Sequence, residues 1–181
     1  MFSMVQAGSM GLPYIAVRGL LGSDILKHRQ DFKVEENPFN PGEKIVVAQP
    51  LRPDVAVFHA LKADRWGNAV TAGLRDDLMM ARASRRVIVT AEEIVDHELT
   101  LEDALQNTFL PAIDVDGVVA ATFGAHPCSC GVSYPVDDPH VKEYLNAAKS
   151  ESGFQAYLDK YVFSVSDHQQ YLGRVGLPSI A

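Results

Sequence analysis

The chain is poor in the features that would set it apart from ordinary globular proteins. It has only two cysteines among 181 residues. Cys128 and Cys130 are one residue apart and cannot supply a secreted disulfide framework. No apolar run approaches the roughly 18 residues that span a bilayer. The opening Met1-Phe-Ser-Met-Val-Gln-Ala-Gly has no basic stretch ahead of its apolar residues, so it is not a signal peptide. A cytoplasmic protein with no membrane partner is the expectation. Basic residues are few, 16 against 23 acidic, for a net charge of -7. The tightest basic group, Arg82-Ala-Ser-Arg85-Arg86, is too short to track a phosphate backbone, so no nucleic-acid partner is expected. There is no Gly-x-x-x-x-Gly-Lys-Ser loop, and Gly19-Leu-Leu-Gly22 lacks the third glycine of a dinucleotide fingerprint. Nor is there a convincing carboxylate pair. Glu92-Glu93 are consecutive and need not face one site, and Glu35-Glu36 precede a proline-rich loop facing water.

What is present is a globular balance, 47% hydrophobic and 22% charged, in a length that suits one domain with a real core. Leu12 to Arg18, Lys44 to Ala48, Asp54 to Ala60, Arg86 to Thr90 and Pro111 to Ala121 carry strand character. Glu35 to Gly42 is a loop. Ala63 to Asn68 is a turn from which Ala69 to Ala72 returns as a strand. Ser23 and Asp24 cap a short helix, Asp76 or Asp77 another, and Thr90 and Glu93 stand at capping-box spacing. Leu99 to Asn107 has weak helical periodicity. Gly8 to Pro13 is punctuated like the interior of a domain, a disordered start being the alternative. From Pro139 the period becomes helical: Val141, Tyr144, Leu145 and Ala148 share a face, as do Phe154, Tyr157, Leu158 and Tyr161, and a third helix starts at Asp167. The pattern predicts an α/β protein with an open, mostly parallel sheet and flanking helices. The segments around Ile15, Val46, Val57, Ile88 and Val119 are expected in that one sheet, with antiparallel pairing at Trp66-Gly67.

The densest chemistry lies in Phe123-Gly-Ala-His126-Pro-Cys128-Ser-Cys130-Gly131, directly after the apolar Val118 to Ala121. Loops at the end of buried strands are where open α/β proteins hold ligands. The spacing His126-x-Cys128-x-Cys130 is poor for tetrahedral zinc, with no second ligand pair nearby. A thiol activated by His126 is another reading, plain packing a third, and a ligand-lining or subunit-facing loop the favoured one. His59 ends a strand as a partly buried structural histidine. His28 is a surface or interface residue. Asp64, Arg65 and Asn68 are turn formers first and substrate contacts second.

Several blocks together resemble the alpha subunit of family I coenzyme A transferases of the glutaconate CoA-transferase type. They are Gly11-Leu-Pro13 with Arg18-Gly19 and Leu21-Gly-Ser-Asp24-Ile; Asn37-Pro-Phe39 through Gly42-Glu-Lys44; Leu51-Arg-Pro-Asp54-Val-Ala; and His59 with Ala63-Asp-Arg-Trp66-Gly-Asn68. Further on come Phe123-Gly-Ala-His-Pro127 with Ser129-Cys130, and Tyr157-Leu-Asp-Lys160-Tyr with Asp167-His168 and Tyr171-Leu172. The resemblance implies the NagB/RpiA/CoA-transferase-like fold, with 1–181 as an alpha-type domain matching the C-terminal portion of the usual subunit and 138–181 as its helical segment. The family's N-terminal section is expected to be lacking.

It further implies a ping-pong exchange of coenzyme A between an acyl-CoA and a carboxylic acid, short or dicarboxylic. The nucleophilic glutamate is supplied by a beta-type partner, and no catalytic residue lies on this chain. Coenzyme A is then a substrate, with no tightly bound cofactor and no metal. Arg18, Gly124, Ala125, His126 and Ser129 are expected at substrate or at the inter-subunit cleft, and self-association is expected in isolation. The alternatives are part of a CoA-thioester ring-cleaving hydrolase and a non-catalytic assembly or regulatory chain.

Overall fold

The computed structural model describes residues 1–73 and 75–178. The opening residues are ordered: they form a helix, α1 (Phe2–Ser9), which buries Met4, Val5 and Ala7. Its Gly8 is required by close approach, because a Cβ there would lie 2.1 Å from the Leu51 carbonyl oxygen.

The chain then forms a small antiparallel sheet. Strands β1 (Ile15–Val17), β2 (Phe32–Glu36) and β3 (Lys44–Ala48) stand in the order β1-β3-β2, and α2 (Ile25–His28) links the first two. Val46 of the central strand pairs with Val17 on one side and Val34 on the other. Glu35 and Glu36 complete β2, so the expected loop starts two residues later. The connection from Glu36 to Lys44 is too short for a parallel crossover and closes as a hairpin. Ile15 and Val46 therefore lie outside the main sheet, against the one-sheet expectation.

The main sheet holds β4 (Val55–Asp64), β5 (Ala69–Thr71), β6 (Arg86–Ala91), β7 (Ile94–Val95), β8 (Thr108–Leu110) and β9 (Gly117–Ala120). Its order is β8-β5-β4-β6-β9, with β7 against the end of β4. β4 pairs in parallel with β6 and β7, and β6 with β9, while β5 runs antiparallel to both of its neighbours, β4 and β8. The sheet is thus mixed and open. Alternation in β4 and β6 buries Ala56, Phe58, Ala60, Val87, Val89 and Ala91 on one face. That face packs with Leu110 and with Ala81 of α3 (Asp77–Ala83).

The opposite face is open. Val57, Ile88 and Val119 are 64%, 38% and 52% exposed, although parallel strands are ordinarily covered on both sides.

Thr90 caps no helix, because β6 continues through it to Ala91. The capping box occurs instead at Thr100 and Asp103, opening α4 (Leu101–Ala104), shorter than the periodicity suggested. The helical end forms as predicted. α5 (Asp138–Ala147), α6 (Glu151–Leu158) with a π-helical turn at Asp159–Phe163, and α7 (His168–Val175) start at Asp137, Ser150 and Asp167. Each of these side chains accepts a bond from an amide in the first turn, which stabilises a helix start. The predicted face assembles as an aromatic cluster, with Tyr157 5.3 Å from Tyr144 and 4.9 Å from Tyr161 between ring centres. The helices pack mostly on one another and reach the sheet through the segment after β9. His168 Nε2, for example, lies 2.7 Å from the Thr122 carbonyl. The last residues of the 138–181 segment, 179–181, lie outside the described residues.

Candidate functional site

The exits of β6 and β9 meet the middle of β4 at one polar cluster. Parallel register places His59 opposite Thr90, and Thr90 opposite Val119. His59 therefore does not end its strand, which runs on to Asp64; it sits mid-β4 beside the exit of β6, where Glu92 follows two residues after Thr90. His59 Nδ1 lies 2.8 Å from Thr90 Oγ1, and its Nε2 bonds Glu92 Oε1. The Tyr134 hydroxyl donates to the same Glu92 oxygen over 2.6 Å. The Phe123 amide donates to Glu92 Oε2 over 2.7 Å, and the Thr122 hydroxyl to the Glu92 carbonyl over 2.8 Å. One carboxylate thus ties the middle of β4 to the turn after β9. Both side chains are shielded, His59 15% and Glu92 11% exposed.

Phe123 is held at φ 61°, a strained conformation for a residue with a Cβ. Gly124 sits over the imidazole, where a Cβ would come within 2.7 Å of His59 Cε1. Burial, helped by the bond to Glu92, pushes the Tyr134 phenol far above its ordinary value, so it remains a neutral donor. Burial and the negative charge of Glu92 also push the Cys130 thiol up, which argues against an activated nucleophile.

The amides of this turn are occupied from within. Gly124 N–H donates to the Ala121 carbonyl, His126 N–H to that of Phe123 and Cys128 N–H to that of Ala125. Ala125 N–H donates to the Tyr134 oxygen. A ready oxyanion site needs free donors aimed outward, and these amides are committed elsewhere.

The five residues singled out from the sequence separate in space. Arg18 is exposed just after β1, on the small sheet. Gly124 and Ser129 are exposed and Ala125 is half-buried. The His126 side chain is only 4% exposed. Its Nδ1 lies 2.7 Å from the Tyr171 hydroxyl and its Nε2 3.1 Å from Asp137 Oδ2. His126 does orient a carboxylate, but it is the one that caps α5. Nor does it meet the cysteines of its own motif: Cys130 belongs to the His59–Glu92 cluster, and Cys128 is exposed. The sequence reading set Glu92 aside and missed Tyr134, Asp137 and His140. Pairing β4 with β6 would have found Glu92, since it extends the line of His59 and Thr90.

Asp64 is a turn former. It is fully buried. Oδ1 accepts the amides of Trp66, Gly67 and Asn68, each over 2.9 Å, and Oδ2 accepts Asn68 Nδ2 and the Leu99 amide, each over 2.8 Å. Burial pushes this carboxyl up, but the Leu99, Asn68 and Trp66 donors outweigh it and hold it below its ordinary value. Arg65 stacks on the Trp66 ring at 4.4 Å. A groove of about 640 Å³ runs over the small sheet past Tyr14, Lys33, Glu35 and Val47, and none of the clustered groups lines it.

The family described as Coenzyme A transferase matches residues 1–121. The chain belongs to the coenzyme A transferase family. It is 34% identical to the alpha-type chain of the glutaconate CoA-transferase of Acidaminococcus fermentans over 191 residues, covering 97% of this chain and 59% of that one. The crystal structure of that glutaconate coenzyme A-transferase superposes with a TM-score of 0.86 over 97% of this chain and 60% of its own. The superposition thus extends beyond residue 121, where the family match stops. An uncharacterized protein of Archaeoglobus fulgidus is 38% identical, covering 94% of this chain and 38% of its own length. The cholesterol ring-cleaving hydrolase IpdA subunit of Rhodococcus jostii is 30% identical, covering 92% and 59%. The chain thus spans about 60% or less of these relatives, and its architecture is that of the glutaconate-type alpha subunit.

Proposed function

We propose that this chain is the alpha-type part of a CoA-transferase that exchanges coenzyme A between an acyl-CoA and a carboxylic acid. The nucleophilic glutamate comes from a beta-type partner. Its carboxylate attacks the thioester carbonyl and expels CoA thiolate, leaving a mixed anhydride. The thiolate then attacks the glutamyl carbonyl, releasing the first acid and leaving a glutamyl-CoA thioester, and the second acid reverses the sequence. Coenzyme A enters as a substrate.

The observation that carries this reading is the state of Glu92. It is the glutamate at the C-terminal ends of the parallel strands, and both its oxygens are engaged by His59, Tyr134 and the Phe123 amide. A nucleophile needs a free oxygen facing substrate. Glu92 instead shapes the turn that carries Gly124 and Ala125, where the lack of a Cβ at Gly124 admits the His59 ring. Arg18 and Ser129 are exposed positions for contact with substrate or partner. His126 acts from beneath as a positioning residue.

The test is co-expression with a beta-type chain from the neighbouring gene, followed by an acyl-CoA exchange assay with carboxylic acid acceptors. CoA transfer by the pair, and none by this chain alone, is the expected result. Cleavage of a cyclic CoA thioester with no transfer to any acid would replace the reading with the hydrolase one, in line with the R. jostii relative. Activity of this chain alone would overturn the assignment of the nucleophile to the partner.

A further inference from the structure

Beneath the turn, His126, Asp137 and His140 each bring one ligand atom to within 4.8 Å of the others. We propose that these three residues form a structural binding site for a zinc-class divalent cation, which fastens the loop after β9 to the C-terminal helices. The inference is independent of the CoA reaction. It also uses a donor set other than the His126-x-Cys128-x-Cys130 spacing of the sequence.

Three features support it. Two imidazoles and one carboxylate are a donor set suited to zinc, with a fourth position left for water. The separation is right: His126 Nε2 and Asp137 Oδ2 stand 3.1 Å apart, and two ligands of a tetrahedral zinc ion lie about 3.3–3.4 Å apart. Each imidazole is also oriented from behind. His126 Nδ1 meets Tyr171 Oη at 2.7 Å and His140 Nε2 meets Tyr157 Oη at 2.8 Å, while Asp137 Oδ1 takes the His140 amide at 3.0 Å. Partners of this kind fix the ring orientation of metal-binding histidines. In the loaded site the His126 proton sits on Nδ1 and is donated to Tyr171 Oη, which frees the Nε2 lone pair.

The second cluster of this type, His59, Glu92 and Cys130, is less suited. Burial and the negative charge of Glu92 favour the protonated Cys130 thiol, which must lose its proton to ligate.

The experiment uses the full chain, stripped with chelator and then titrated with Zn²⁺ by calorimetry and with Co²⁺ by visible absorption. Stoichiometric binding and a four-coordinate Co²⁺ spectrum are expected. Asp137→Asn and His140→Ala should abolish both, and Cys130→Ser should leave both unchanged. Tyr157→Phe keeps every ligand and should weaken binding about 10-fold or more, as loss of an orienting partner does. Circular dichroism on each variant separates loss of the site from loss of the fold. Failure of the folded wild type to bind stoichiometrically would overturn the proposal. So would binding that survives in His140→Ala, or that disappears in Cys130→Ser.

Discussion

Replacing Asp64 tests the account of the β4–β5 turn and gives a pH signature. Its carboxylate accepts five N–H donors. In Asp64→Ala the partly buried Trp66 and Gly67 amides can turn to water. The Asn68 amide, Asn68 Nδ2 and the Leu99 amide are buried and cannot. At about 1–3 kcal/mol for each orphaned donor, and with shared acceptors making the losses non-additive, the expected destabilisation is about 3–5 kcal/mol. Asp64→Asn is the sharper variant. It keeps the Oδ1 bonds but points an NH₂ at Leu99 N–H and Asn68 Nδ2. Asn68 cannot rotate its amide to compensate, because its Oδ1 accepts the Ala112 amide over 2.8 Å. A loss of about 2–4 kcal/mol follows.

The folded carboxyl lies below its unfolded value. Its contribution is therefore fully present above the unfolded pKa of about 3.9 and is lost as pH falls through the folded value. Urea unfolding at neutral pH and at successively lower pH measures both effects. Asp64→Asn should be less stable at pH 7 and should lose less stability on acidification. A neutral-pH stability within about 0.5 kcal/mol of wild type, the range of an ordinary surface change, would refute the argument.

Other perturbations test the rest. Glu92→Ala and Tyr134→Phe share a bond to a charged acceptor, so a double-mutant cycle by denaturant unfolding should give a coupling of about 1–2 kcal/mol; additive effects would show that the bond contributes nothing. Gly124→Ala places a methyl 2.7 Å from both the Ala121 carbonyl oxygen and His59 Cε1. It should cost about 1–3 kcal/mol as an overpacked site, and a neutral result in thermal unfolding would mean that the turn has slack. Val57→Asp puts a charge on the open face and should reduce association in sedimentation, with the partner chain or with a second copy, while leaving the fold intact by circular dichroism. Unchanged association would take that face out of the interface.

The helical end was legible because its signals are local. Periodicity over Val141 to Ala148 and Phe154 to Tyr161, and the start signal at Asp167, all act within a turn or two. The allocation of strands was not. Nothing inside Lys44 to Ala48 distinguishes a central strand of a small sheet from a strand of the main one; the shortness of the 37–43 connection decides it, by forbidding a crossover. The site was less legible still. Glu92 reads as one of two consecutive acids that need not face one site, and its role exists only through His59, Phe123 and Tyr134, which lie 31 to 42 residues away in sequence. His126 was visible as chemistry but not as direction, because the partners that turn it inward, Asp137 and Tyr171, come from two later elements.

The open face and the closed site bear on the same question from opposite sides. A parallel sheet with Val57, Ile88 and Val119 bare has apolar surface in excess of what its own helices cover. A candidate active end whose glutamate and turn amides are fully bonded has reactive groups in deficit. A monomeric enzyme would need the reverse, a covered sheet and a free nucleophile. A chain that presents a shaped turn to another polypeptide, as proposed above, would need neither, the partner then supplying the reacting carboxylate. This combination supports the two-chain reading more strongly than either feature does alone. It also makes the assembly measurement on Val57→Asp and the exchange assay on the co-expressed pair complementary. If the partner docks on the open face, losing the docking must lose the transfer. If transfer survives without docking there, the open face serves a different contact.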